Sequence, residues 1–182
     1  MKSVNMKRVF LLFAFVLMMA SCTSDKQKQI ETIAKAESEL INDTSLMVNP
    51  EKGKAMKELY LKFANKYPDD TISANFLFKA ADLSNGLRDP KSTIEILDRL
   101  LTTYPKSQRC ASALFLQAFI YDTELKMVDS AKVKYKEFVR RYPADPLAQS
   151  AEATLMQLES GISDEELVRQ FQMMNDSLNA AK

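Results

Sequence analysis

Two cysteines, two acidic doublets and no histidine make up the reactive inventory of this 182-residue chain. Without histidine, the commonest general base and metal ligand at neutral pH is missing. Cys22 and Cys110 fall short of the three or four protein ligands that a zinc ion takes. Three scattered glycines do not make a phosphate-cradling loop. Asp69-Asp70 and Glu165-Glu166 stand where helices begin, so their carboxylates read as caps favoured by the helix dipole rather than as an acid/base pair. The residues therefore predict no enzyme, no metal and no cofactor. What they offer instead is contact surface. Ser112, Phe115, Phe119 and Asp122 are spaced to share one helical face, which either grips a partner or packs against a neighbouring element. Lys132, Lys136 and Arg140 recur every four residues, as a solvated outer face or as a docking strip for acidic protein or lipid headgroups.

The N-terminus carries an address. Lys2, Lys7 and Arg8 precede the wholly apolar run Val9–Ala20. A membrane-spanning helix needs roughly 20 apolar residues, so this run has the length of a secretory h-region. Ala20-Ser21-Cys22 follows, with Met19 in the place usually held by leucine. The segment resembles the lipobox of bacterial lipoproteins. That resemblance implies a signal peptide over 1–21, lipidation of Cys22, and a lipidated tether over 22–26. Acyl chains contribute about 0.8 kcal/mol per buried CH₂, enough for a multiply acylated cysteine to hold firmly. Thr23, where aspartate would imply inner-membrane retention, points to the outer membrane, facing the periplasm. The alternative from the residues alone is an ordinary secretory peptide with Cys22 incidental.

Removing residues 1–21 takes away three basic residues and leaves 22 basic against 24 acidic. Such a balance exerts no long-range pull on nucleic acid. Cys110 then has no cysteine besides the anchor to pair with, and reads as a buried structural thiol. Three glycines and six prolines are too few for the turns of a β-rich domain of this size. Long helices joined by short turns need few, so composition predicts an all-α fold.

Tyr67-Pro68, Tyr104-Pro105 and Tyr142-Pro143 recur at spacings of 37 and 38 residues. Eight positions before each proline stand Tyr60, Leu97 and Tyr135; five before, Phe63, Leu100 and Phe138; four before, Ala64, Leu101 and Val139. These spacings put the residues on one helical face, and each proline stops its helix. Asp70, Ser107 and Asp145 follow two residues on, suited to capping the next helix. Apolar helices are expected over 72–83, 110–121 and 147–158, with breakers at Asn85-Gly86, Asp89-Pro90 and Lys126-Met127.

This pattern resembles the tetratricopeptide repeat (TPR), in the Tyr-Pro variety of envelope proteins. Ala118, Tyr121, Ala131, Tyr135, Phe138 and Pro143 fit it in one repeat; Ala80, Leu83 and Pro105 fit less fully in the other, with Thr93 where alanine is usual. Both repeats exceed the usual length of about 34 residues. The resemblance implies antiparallel helix pairs stacked as a short TPR-like α-solenoid over 27–178. Helices over 27–41, 51–66 and 164–178 would cap it, the last through Ser163 and Glu166. It also implies that the helix bearing Phe115 and Phe119 lines a concave groove.

The expected function is a membrane-anchored adaptor or scaffold binding an envelope protein or peptide, with no small-molecule substrate. BamD-like lipoproteins of outer-membrane assembly and Tol-Pal-associated repeat proteins are the resembled classes. One alternative is a SusD-type nutrient- or glycan-binding lipoprotein, against which the absence of tryptophan weighs. Another is a structural homo-oligomer joined through Phe171, Met173 and Met174 near the C-terminus.

Overall fold

Each Tyr-Pro corner folds the same way, and the corners set the architecture. The computed structural model describes residues 25–40 and 49–161, together with Glu166, Val168, Arg169, Gln172 and Met173. The leader, Cys22, Ser163, Phe171 and Met174 lie outside the described residues. The helices are α1 (25–40), α2 (Pro50–Lys66), α3 (Thr71–Gly86), α4 (Pro90–Thr103), α5 (Cys110–Thr123), α6 (Val128–Arg141) and α7 (Ala148–Ser160). Among the described residues there is no strand, and the fold is all-α. No helix among them is long and apolar enough to cross a membrane.

At each corner the tyrosine ends its helix in a non-helical conformation, with φ/ψ of −126°/61° at Tyr67, −125°/57° at Tyr104 and −131°/54° at Tyr142. The residue before a proline is pushed out of the helical region, which fixes the end point. Three backbone hydrogen bonds then repeat. The tyrosine N–H donates to the carbonyl of Phe63, Leu100 or Phe138. The N–H of Asp70, Ser107 or Asp145 donates to the tyrosine carbonyl. The N–H of Ser73, Cys110 or Ala148 donates to the carbonyl of that polar residue.

Two local expectations need correction. Asp70 caps α3 by accepting from the Ile72 N–H at 2.9 Å. Ser107 and Asp145 accept from Arg109 and Leu147 in the same way, but α5 and α7 begin later, after Arg109 and Leu147, which make no side-chain cap bond. The side chains close the corner turn there rather than the helix. Asn85-Gly86 does not break α3 either: both residues are helical, and the reversal falls on Arg88 at φ 60°. Lys126, also 17 residues before its Tyr-Pro proline, does the same at φ 54°.

The described helices group into two compact units, Met1–Arg88 and Asp89–Lys182. In the first, Tyr67 meets Ser73 and Tyr60 stacks on Phe76 at 5.3 Å, so α2 and α3 run antiparallel. Phe63 is fully buried and meets Phe76 edge-on at 4.8 Å. In the second unit, Leu114 and Ala118 of α5, Ala131, Tyr135 and Phe138 of α6 and Ala151 of α7 form one core. Small residues at 118, 131 and 151 let the helices approach, while Tyr135 and Phe138 fill the space between them. Thr93 is tolerated at its buried position because its hydroxyl donates to the Asp89 carbonyl at 2.8 Å.

Candidate protein-binding face on α5

Helix α5 is apolar nearly all round because it packs on both α4 and α6. Cys110, Ala113, Leu114, Gln117, Ala118 and Ile120 are buried. The four residues singled out on its outer stripe part company. Phe115 is half-buried, its ring 5.3 Å from Phe138 and 5.9 Å from Tyr135 in edge-on contacts, and so belongs to the margin of the core. Phe119 is 42% exposed, an aromatic ring turned toward solvent. Ser112, two turns before it, is exposed, and Asp122, one turn after, is half-buried. Burial, with the Asp122 charge adding to it, raises the Tyr135 phenol to about 12. The stripe is thus a single open aromatic flanked by a hydroxyl and a carboxylate.

On α6, Lys132 is half-buried while Lys136 and Arg140 are exposed. Their neighbours are engaged: Lys134 lies 3.8 Å from Asp98, and Arg141 pairs with Glu137 at 2.8 Å and covers the Tyr142 ring. Cys110 is buried, and burial pushes its thiol above the usual range. Its Sγ donates to the Tyr104 carbonyl at 3.1 Å.

One polar cluster was not foreseen from the sequence. The fully buried Gln117 donates through Nε2 to Asp98 Oδ1 at 2.7 Å and to the Ile94 carbonyl at 3.5 Å. Its Oε1 has no hydrogen-bond partner among the described residues. An open cavity of about 280 Å³ is lined by Tyr121, Asp129, Ser130, Val133 and Lys134. A glutamine within an apolar helix carries no signal of a partner 19 residues away, so only the packing of α4 on α5 makes the pair.

The tetratricopeptide repeat family matches residues 76–107 and 112–145. Each span ends two residues beyond a Tyr-Pro proline, at the polar position that closes the corner. The chain therefore carries tetratricopeptide repeats in an all-α fold, and such repeats are those of a protein-interaction scaffold. No curated protein matches the chain.

Proposed function

We propose that this chain is a membrane-anchored adaptor lipoprotein of the cell envelope, which binds a protein or peptide partner through its repeats. The observation that carries the binding role is Phe119, an exposed aromatic held on a helix whose other faces are buried. An aromatic ring set rigidly beside polar flanks gives a partner apolar area at little entropic cost. The lipobox-like run ending at Cys22 supports anchoring, with the outer membrane as the location and an envelope-assembly complex as the partner. Lys132, Lys136 and Arg140 provide a secondary strip for an acidic partner.

A crosslinked pulldown from membranes, run with the intact chain, Cys22→Ala and Phe119→Ala, tests this reading. Loss of membrane association in Cys22→Ala and loss of captured partner in Phe119→Ala are the expected results. Capture that persists unchanged in Phe119→Ala would remove α5 from the binding role.

A further inference from the structure

The start of α1 is fastened, and among the described residues it is nearest in sequence to the proposed anchor. Asp25 accepts hydrogen bonds from Lys66 Nζ and, at 2.7 Å, from the Tyr67 hydroxyl. Gln29 adds a third from within α1 at 3.3 Å. Lys26 pairs with Asp70 at 2.9 Å. The first two residues of α1 thus clasp the last turn of α2 and the N-cap of α3, on the two sides of the Tyr67-Pro68 corner. Helix ends ordinarily fray unless tied down. Here the opposed charges also suit the helix dipoles, with Asp25 at an N-terminus and Lys66 at a C-terminus. A second fastening lies further along, where Tyr60 and Lys79 both donate to Glu37 Oε1 at 2.6 Å.

We propose that this corner of the first unit, comprising the start of α1 and the Tyr67–Asp70 turn, lies against the anionic bilayer surface that receives the acyl chains of Cys22. The inference rests on the acylation proposed above. Only Thr23 and Ser24 separate Cys22 from Asp25, and the three Cα-to-Cα steps span at most about 11 Å even when fully extended. The headgroup layer extends only about 5–8 Å beyond the hydrocarbon on each side. A tether so short, ending on a fastened residue, leaves the corner no room to leave the surface. The exposed ammonium groups of Lys28 and Lys62, one turn from Asp25 and from Lys66, suit anionic headgroups and offset the exposed carboxylate of Asp69, while the exposed Pro68 and Ile72 beside it are uncharged. Lys54, toward the opposite end of α2, lies 12 residues before Lys66, about 18 Å along the helix from the corner.

The test uses the full acylated chain with Cys110→Ser, reconstituted in phosphatidylethanolamine–phosphatidylglycerol vesicles that contain headgroup-spin-labelled lipid. A fluorophore is placed on Asp69→Cys or on Lys54→Cys, and mass spectrometry confirms acylation of Cys22. Quenching severalfold stronger at 69 than at 54 is expected. Inserting a Gly/Ser linker of about 15 residues after Ser24, which spans roughly 20 Å as a coil, should abolish that contrast without touching the clasp. Equal quenching at 69 and 54 in acylated protein with the native tether would overturn the orientation while leaving the anchor standing. An unacylated Cys22 in chain recovered from its own membranes would overturn both.

Discussion

The Cys110 thiol donates to the carbonyl of Tyr104, occupying the place that the Ser73 hydroxyl takes on the carbonyl of Tyr67. The two residues stand six positions after their corner tyrosines, and both are buried. The cysteine is therefore a hydrogen-bond donor of the repeat. Cys110→Ser should change stability by no more than about 1 kcal/mol, since it exchanges a weak donor for a stronger one of smaller size. The native thiol should resist a thiol reagent at pH 8 and react only on unfolding, because burial disfavours its thiolate. Prompt labelling of the folded chain would contradict this assignment.

At the third corner the same position is Ala148, which has no donor to offer Tyr142. Ala148→Ser should supply the missing hydrogen bond and stabilise the second unit by about 0.5–1.5 kcal/mol, read as a rise in Tm.

The two phenylalanines of α5 should separate in a paired experiment. Phe115→Ala should lower Tm through the loss of its contacts with Tyr135 and Phe138. Phe119→Ala should stay within about 0.5 kcal/mol of the parent and lose partner capture instead. Phe138→Ala, at a fully buried position, should cost about 3–5 kcal/mol. Thermal melts of the three variants give the ranking, and an unchanged Tm for Phe138→Ala would mean that the repeat core is misread.

Relief of backbone strain gives a further variant. Lys126 holds a left-handed conformation that glycine adopts freely. Lys126→Gly should leave the fold intact and gain up to about 1 kcal/mol, measured by denaturant midpoint. A loss of stability would show that the lysine side chain contributes to this turn.

Acid should loosen the first unit. Hydrogen bonds from Lys66 and then Tyr67 hold Asp25 below the usual carboxylate range. Burial pushes Glu37 and Asp70 upward, but Lys79 with Tyr60, and Lys26 with the Ile72 N–H, outweigh it and leave both lowered. A lowered native pKa contributes stability above the unfolded value of about 4, which is lost as pH falls through the native one. Melting temperature should hold from pH 5 to 8 and decline below about pH 4. In Asp25→Asn with Glu37→Gln, that decline should be shallower.

Much of this architecture was legible before any coordinates, because it rests on local rules. Proline stops a helix wherever it stands, and the spacing of Tyr60, Phe63 and Ala64, of Leu97 and Leu100, and of Tyr135 and Phe138 marks a face that must be buried. The corners and the core positions of both units followed from that pattern. The turn-closing role of Ser107 and Asp145 did not, because a side chain that closes a turn and one that caps a helix have the same sequence signature, and neither did the reversal at Arg88.

The candidate face shows the same division. Spacing put Phe115 and Phe119 on one stripe, and it could not separate them. Four residues turn a helix through more than a full revolution, and the resulting offset of about 40° decides which ring reaches α6. Gln117 with Asp98, Asp25 with Lys66, and Glu37 with Tyr60 and Lys79 join residues distant in sequence, and no local periodicity encodes them. The sequence by itself determined where helices begin to repeat and which of their faces are buried. Tertiary packing alone decided which aromatic stays open to a partner and which charges fasten α1, because both depend on the approach of helices distant along the chain.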